Sequence, residues 1–457
     1  MTDPDDDGVD EALALVGPRD RDRDREGQKD RDQDGSQGRN RERHEAAPWA
    51  RARSLAARLG GGHPPRARQT PLADALGGVL ARPLTALTDL PSFDTSAMDG
   101  WAVAGPGPWR VREDGSVLAG HAAAAPLDDG EAVRIATGAR VPSGATAVIR
   151  SEHSRTDTAG QLHALRDVTH GQDIRPRGQE CRSGDALLPA GTPVTPAVLG
   201  LAAAAGYDDL PTATRPRVEV LVLGDELLTT GLPHDGLIRD ALGPMLAPWL
   251  RALGAEVRST RRIGDDADAL HAALSGSEAD VVITTGGTAA GPVDHVHPVL
   301  LKAGAELLVD GVAVRPGHPM LLARLAPARY LVGLPGNPLA AVSGLLTLAE
   351  PLLRGLGGRR GRAPHRAAVR DAVPGHPHDT RLVPVALPPA PATSRSTPRG
   401  ESRFPYVVPL RYNGPAMLRG IAAADGLAVV PPGGARAGDV LEILDLPWAA
   451  SDEECFT

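Results

Sequence analysis

The sequence predicts a multidomain chain of the α/β-plus-β class: an α/β unit with a mostly parallel sheet, preceded by an all-β module and followed by a second small β domain. Three observations carry that expectation. Residues 217–360 alternate short apolar runs with stretches of 3.6-residue period, the order of βαβαβ units whose helices cover both faces of a sheet. Residues 109–190 break into short β segments at Gly and Pro turns. Past Gly361 a Pro-rich connection leads to the alternating segments RLVPVAL, GLAVVPPG and DVLEILDL.

Taken in order, residues 1–45 alternate Arg with Asp and hold too few apolar groups to offset the entropy of ordering, so they predict a disordered tail. Trp49, Leu55 and Leu59 stand at helical spacing, and Leu72, Leu76 and Leu80 predict a second helix over 71–81. The stretch LPSFDTSAMDGWAV, Leu90 to Val103, has strand-like ends and a polar centre holding Asp94, Ser96 and Asp99. VEVLVL then reads as a buried strand followed by GDEL. A helix is expected from Ile238 to Leu253, with Ile238, Leu242, Met245, Leu246, Trp249, Leu250 and Leu253 on one face. The strand AEVRSTRRI, a helix opening at GDDADAL, the strand DVVITTGG, a helix over 294–303, the strand RYLVGLPGNP and a long helix from Leu339 to Leu356 follow. Residues 388–403, PPAPATSRSTPRGESR, read as a mobile loop.

Composition narrows the function classes. At 457 residues the chain has room for about three or four domains. Its net charge is −8, of which fifteen acids against nine bases in residues 1–45 supply −6, leaving −2 for the rest. With no basic stripe and no long uninterrupted apolar run, neither nucleic acid nor a membrane span is expected. Cys181 and Cys455 fall in no paired spacing, and the acidic N-terminus does not read as a signal peptide, which points to a reducing, cytoplasmic setting. Lys occurs only at Lys29 and Lys302, so Arg elsewhere reflects base composition as readily as chemistry.

The chemistry is expected where strands of the α/β unit end. DVVITTGGTAAGPVD, Asp280 to Asp294, runs from a β-branched strand into Gly286, Gly287 and Gly291, a turn whose N–H groups suit a phosphate or other oxyanion. Asp225 and Glu226, Asp265 and Asp266, and the loop Leu334 to Pro338 follow other strand ends, which in a parallel sheet lie side by side on one rim. Carboxylates beside a phosphate-cradling loop suit Mg²⁺, although each acid alone also fits a helix cap. Arg315 and His318, in VRPGHPM, offer a cation and a titratable group. DHVHP places His295 and His297 on different faces of either a strand or a helix, a poor zinc geometry. No GxSxG elbow, Walker loop or GxGxxG fingerprint is present.

These motifs resemble the molybdopterin molybdenumtransferase (MoeA) family, similar to the C-terminal enzyme domain of gephyrin. LPSFDTSAMDGWAV, RIATGARVPSGATAVIRSE, DIRPRGQECRSGDALLPAG, LGDEL, TTGGTAAGPVD and LVGLPGNPLAAV carry the resemblance in order from about residue 46 to 447. It implies a cytoplasmic homodimer that inserts molybdate into adenylylated molybdopterin with Mg²⁺ and releases AMP. It also implies a domain plan: a linking, α-rich domain split over 46–87 and 182–216, a β domain over 88–181, a three-layer α/β molybdopterin-binding domain over 217–360 and a C-terminal β barrel over 361–448. Carried across by position, Asp99 and Thr137 face the site from the β domain, and Glu226, Asp265 and Asp294 are the rim acids and metal ligands. With the glycine turn and VRPGHPM read from their chemistry, Gly286, Gly287, Gly291, Arg315, His318, Pro335, Gly336, Asn337, Pro338 and Arg381 are the expected substrate-binding residues. The chain departs from the family pattern at Leu223, Ala241, Leu242, Thr288, Ala289, Ala290, Arg315, His318, Arg419 and Gly420. A transferase is therefore the leading expectation, a non-catalytic paralogue that binds or carries the cofactor the alternative, and a scaffold acting through the charged tail a third.

Overall fold

The structure, a computed structural model, describes residues 46–120, 125–288, 294–359, 361, 363–388 and 406–448, with the side chains of 114 and 115 left out. The charged tail, most of the expected loop at 388–403, and Gly291, Ala289 and Ala290 lie outside the described residues.

The α/β unit is built on a six-stranded sheet in the order Glu256–Ile263, Arg217–Leu223, Val281–Thr285, Arg329–Leu334, Leu321–Ala326, Glu306–Asp310. The first four strands are parallel, as the alternation predicts, and the last two pair antiparallel at one edge. That edge was not legible as strands. Strand periodicity sorts the side chains into two cores. Val218, Val220, Val222, Val281, Ile283 and Val332 face α1 (Trp49–Gly61), α3 (Leu242–Ala252) and the helical segment Pro338–Leu356. Leu221, Val282, Leu321 and Leu331 face α4 (Ala267–Ser275) and α5 (Val296–Lys302). The result is a three-layer α/β/α arrangement.

Two helix expectations need correction. Residues 71–81 are not a helix: Ala67–Pro71 pairs with Asp209–Ala213, and only Leu72–Asp74 forms a 3-10 turn. Gly77, at φ +73°, and Gly78 break the run, so Leu80 is buried while Leu76 is 56 % exposed. The helix expected from Ile238 starts instead at Leu242, because the Asp240 carboxylate accepts from the Leu242 and Gly243 N–H groups and so satisfies the helix start. Ile238 pairs with Leu227 and points to solvent.

Around this unit, Ala67–Pro71, Asp209–Ala213, α2 (Pro196–Ala204) and Leu84–Thr85 paired with Ala186–Leu188 share a small core of Leu80, Leu84, Val198, Ala202 and Leu210. Between the two chain stretches lies a second six-stranded sheet, with Gly100–Val103 between Glu131–Ile135 and Ala147–Arg150. The C-terminal strands Thr380–Ala386, Tyr406–Pro409, His365–Val369, Val440–Asp445 and Gly426–Val430 close into a five-strand barrel through the pairing of the first with the last. Val312–Arg315 leaves the α/β unit and pairs with the barrel strand Thr380–Ala386 on one side and with Ala47–Pro48 on the other.

The segment Pro338–Leu356 consists of α6 (Pro338–Gly344), a π-helical stretch Leu345–Ala349 and α7 (Glu350–Leu356). Pro351, which cannot donate a backbone hydrogen bond, follows the wide turn and accounts for the break in the α-helical ladder. Among the described residues it is the one helix long and apolar enough to cross a membrane, and 83 % of its apolar window is buried in the protein. It is a core helix. Cys181 is a buried free thiol, and burial is the main cause pushing its pKa up.

Candidate functional site

The carboxyl ends of the four parallel strands form the expected rim. After Arg217–Leu223 the chain turns through Gly224, at φ +127°, where a Cβ would overlap the Glu226 carboxylate, so only glycine lets Glu226 fold back against the turn. On the neighbouring strand Asp265 donates its N–H to Asp225 Oδ2 at 3.4 Å, which joins the two acidic turns. Asp266 takes the helix-cap role: its Oδ1 accepts from Asp268 and Ala269 N–H at 2.8 and 3.0 Å.

Val281–Thr285 is fully buried and ends in Gly286 at φ +81° and Gly287 at φ +65°, two left-handed turns in succession. Gly286 donates to the Leu334 carbonyl at 2.9 Å and so locks the glycine turn to the loop of Pro335, Gly336, Asn337 and Pro338. Leu223 Cδ1 and Val296 lie over Gly287, 3.2 and 3.1 Å from where a Cβ would sit. The leucine at 223 thus packs down on the glycine turn rather than presenting a hydroxyl. Asn337 begins α6, but the first free N–H groups of that helix, Leu339 and Ala340, donate to Pro415 O at 2.9 and 3.3 Å, so this helix start is committed to the C-terminal region.

Asp99 and Thr137 meet each other in the β domain. Asp99 Oδ1 accepts from Thr137 N at 2.7 Å and Oγ1 at 3.0 Å. Gly100, the next residue, is wedged in the sheet where any Cβ would overlap the Ile149 carbonyl, which fixes the direction of Asp99. The Thr137 backbone hydrogen bond, then its hydroxyl, hold the Asp99 carboxyl below the usual 3.8. Any stability carried by this contact is present above the unfolded pKa and is lost as pH falls through the lowered folded value. Thr137→Val removes the hydroxyl but keeps the N–H, so the Asp99 midpoint is expected to rise toward the usual carboxylate value. A carboxyl carbon NMR titration checks this; an unmoved midpoint would take the hydroxyl out of the account.

Arg315 and Arg381 are register partners on adjacent strands. Arg315 Nε donates to Asp379 Oδ2 at 2.8 Å, and Arg381 donates to Pro374 O at 3.0 Å and Asn413 Oδ1 at 3.2 Å. Sequence reading missed Asp379 and Asn413; the former stands two residues before Arg381, the latter in a distant turn. His318 Nδ1 donates to Val312 O at 3.0 Å, which ties the ring to its own hairpin. His297 pairs with Asp310 at 2.8 Å. Arg419 donates to the Tyr412 hydroxyl at 2.8 Å and lies over its ring, and a Cβ at Gly420 would meet Tyr412 O at 2.5 Å, so both departures at 419 and 420 serve local packing. Among the described residues no three His, Cys, Asp or Glu side chains gather as a metal cage; Glu226, Asp265 and Asp294 are not brought together as one. Mg²⁺ asks less than a cage, since it takes one or two carboxylates and fills its shell with water and substrate phosphate, and adjoining acidic turns on one rim fit that demand.

A mixed α/β sheet with acids and glycine turns at the carboxyl ends of its parallel strands, in a chain that also carries two β-rich units, defines a multidomain protein of the class whose α/β sheets bind ligands at that rim. Three family models cover it in order: the MoeA N-terminal region (domain I and II) over residues 46–206, the probable molybdopterin binding domain over 219–355, and the MoeA C-terminal region (domain IV) over 366–446. The chain belongs to the MoeA family. A relative from Mycobacterium tuberculosis named molybdopterin molybdenumtransferase 2 is 36 % identical over 409 residues, covering 82 % of this chain and 94 % of that protein. One from Staphylococcus aureus named molybdopterin molybdenumtransferase is 30 % identical, covering 84 % and 92 %. The crystal structure of a molybdopterin biosynthesis MoeA protein from Pyrococcus horikoshii is 25 % identical, with a TM-score of 0.72 over 88 % of this chain and 99 % of that one.

Proposed function

We propose that this chain is a molybdopterin molybdenumtransferase acting in molybdenum cofactor biosynthesis, which inserts molybdate into adenylylated molybdopterin with release of AMP, as a cytoplasmic homodimer that uses Mg²⁺. The observation that carries the reading is the family match, running in order through the N-terminal, molybdopterin-binding and C-terminal regions. The rim supports it chemically. Glycine turns at 286 and 287 bring backbone close to a ligand, and Asp225, Glu226 and Asp265 on neighbouring turns would hold Mg²⁺ against phosphate oxygens, neutralising their charge. Asp294, half-buried just before α5, closes the same loop.

A second reading has its own support. Leu223 covers the glycine turn, and the Arg315 guanidinium is already engaged by Asp379. A paralogue that binds or carries the cofactor without turning it over would have such a site. The deciding experiment gives purified protein adenylylated molybdopterin, Mg²⁺ and molybdate, and measures AMP together with active cofactor. Turnover is the expected result. Tight binding without AMP would leave the carrier reading, and no binding would overturn both.

A further inference from the structure

A polar cavity lies at the end of the α/β sheet opposite the rim. It opens beneath the paired strands Ala67–Pro71 and Asp209–Ala213, against the ends of α3 and α7, and measures about 60 Å³. Arg215 stands two residues before the strand Arg217–Leu223, and Gly254 two before Glu256–Ile263, so the cavity adjoins the amino ends of the parallel strands, away from the rim.

Its lining is unbalanced in charge. Arg68 and Arg215 line it beside a single acid, Asp74, with Arg359 at its edge. Among the described residues Arg68 and Arg215 make no ion pair, and the nearby acid Asp280 is already taken by Arg217 at 3.2 Å and Arg66 at 3.6 Å. Arg359 is set against Gly254, a left-handed glycine at φ +90° where a Cβ would come 2.7 Å from its Nη2. Any other residue there would push this guanidinium off the cavity edge. Thr70 and Thr212, 4 % and 3 % exposed, also line the cavity, their hydroxyls 2.7 Å apart. Two hydroxyls carry two protons and their mutual bond uses one, which leaves the other to donate.

We propose that this cavity binds a small tetrahedral oxyanion, either inorganic phosphate or the terminal phosphate of a monoester. Arginine forks and hydroxyl donors match phosphate oxygens, and such charge-assisted bonds are the strong ones. Size limits the occupant: a single water needs roughly 10–15 Å³ on this measure, so the space holds an anion head and leaves any larger group outside.

The test is isothermal titration of the full-length protein with inorganic phosphate in chloride buffer, beside Arg68→Gln/Arg215→Gln. Arg251→Gln, an exposed charge on α3, controls for the lost positive charge alone. The expected result is a saturable phosphate site in the wild type and in Arg251→Gln, weakened at least tenfold in the double variant. Competition by AMP would identify a monoester as the ligand, and lack of competition would restrict it to free phosphate. Both substituted arginines are exposed, and the single Arg68→Gln, expected to weaken binding by a smaller factor, stands in should the double variant fail to fold. Absence of saturable binding in the wild type, or equal affinity in wild type and double variant, would overturn the proposal.

Discussion

Gly60→Ala is expected to melt well below the wild type, while Gly61→Ala, one residue along the same helix, melts at the wild-type temperature or slightly above it. α1 crosses α7 backbone to backbone. A Cβ at Gly60 would overlap the Leu352 carbonyl, and one at Gly355 would overlap the backbone of Gly60 and Gly61. Neither clash can be relieved by turning a side chain, so the helices must move apart. The cost of such overpacking is about 3 kcal/mol. Other contacts resist that separation: Trp49 Nε1 donates to the buried Thr347 Oγ1 at 3.0 Å, and Arg53 donates to the Leu346 carbonyl and pairs with Glu350 at 3.4 Å. Gly61 has open space where its Cβ would go, and an alanine in a helix gains up to roughly 1 kcal/mol over glycine. Thermal melts of the two variants decide the matter, and a Gly60→Ala chain as stable as the wild type would mean that the helices are not in backbone contact. The crossing also bears on the site, since the same helical segment begins at the Asn337 loop on the rim.

Much of the α/β unit was legible because its signals are local. Val281 to Thr285 is a β-branched run buried on both faces and Val218 to Val222 is apolar and buried but for Glu219, and runs of that kind in an α/β alternation admit few other structures. The rim followed from topology alone, since side-by-side parallel strands put their carboxyl ends together. What escaped was non-local. Leu72, Leu76 and Leu80 have a helical period, yet Thr70 pairs with Leu210, far along the chain, and no local pattern records that partner. Val312–Arg315 looks like any short strand, and nothing in it says that it joins Thr380 and Arg381 of the barrel. The engagement of Arg315 by Asp379 was invisible for the same reason, and so was the capture of the Leu339 and Ala340 N–H groups by Pro415. Motif residues were easier to find than to explain: Gly100 follows Asp99 because the Ile149 carbonyl leaves no room for a side chain.

Asp294→Asn is expected to cut AMP-releasing turnover by about a hundredfold or more, the usual cost of removing one well-placed charged or proton-handling group. The substitution keeps the size of the side chain and an amide able to hydrogen-bond, and removes the charge. Asp294 is half-buried two residues before α5, and the next residue but one, Val296, is fully buried and packs over Gly287. The carboxylate is therefore tied by its own chain to the glycine turn proposed above to meet the ligand. A neutral amide cannot supply a negative charge at that turn, whereas the packing of Val296 does not depend on the charge at 294. Turnover should then fall, and the melting temperature measured beside it separates a role in the reaction from one in the fold of the loop. A drop in both would assign Asp294 to the fold of the loop, and full activity in the variant would remove it from the reaction and return the weight of the mechanism to Glu226 and Asp265.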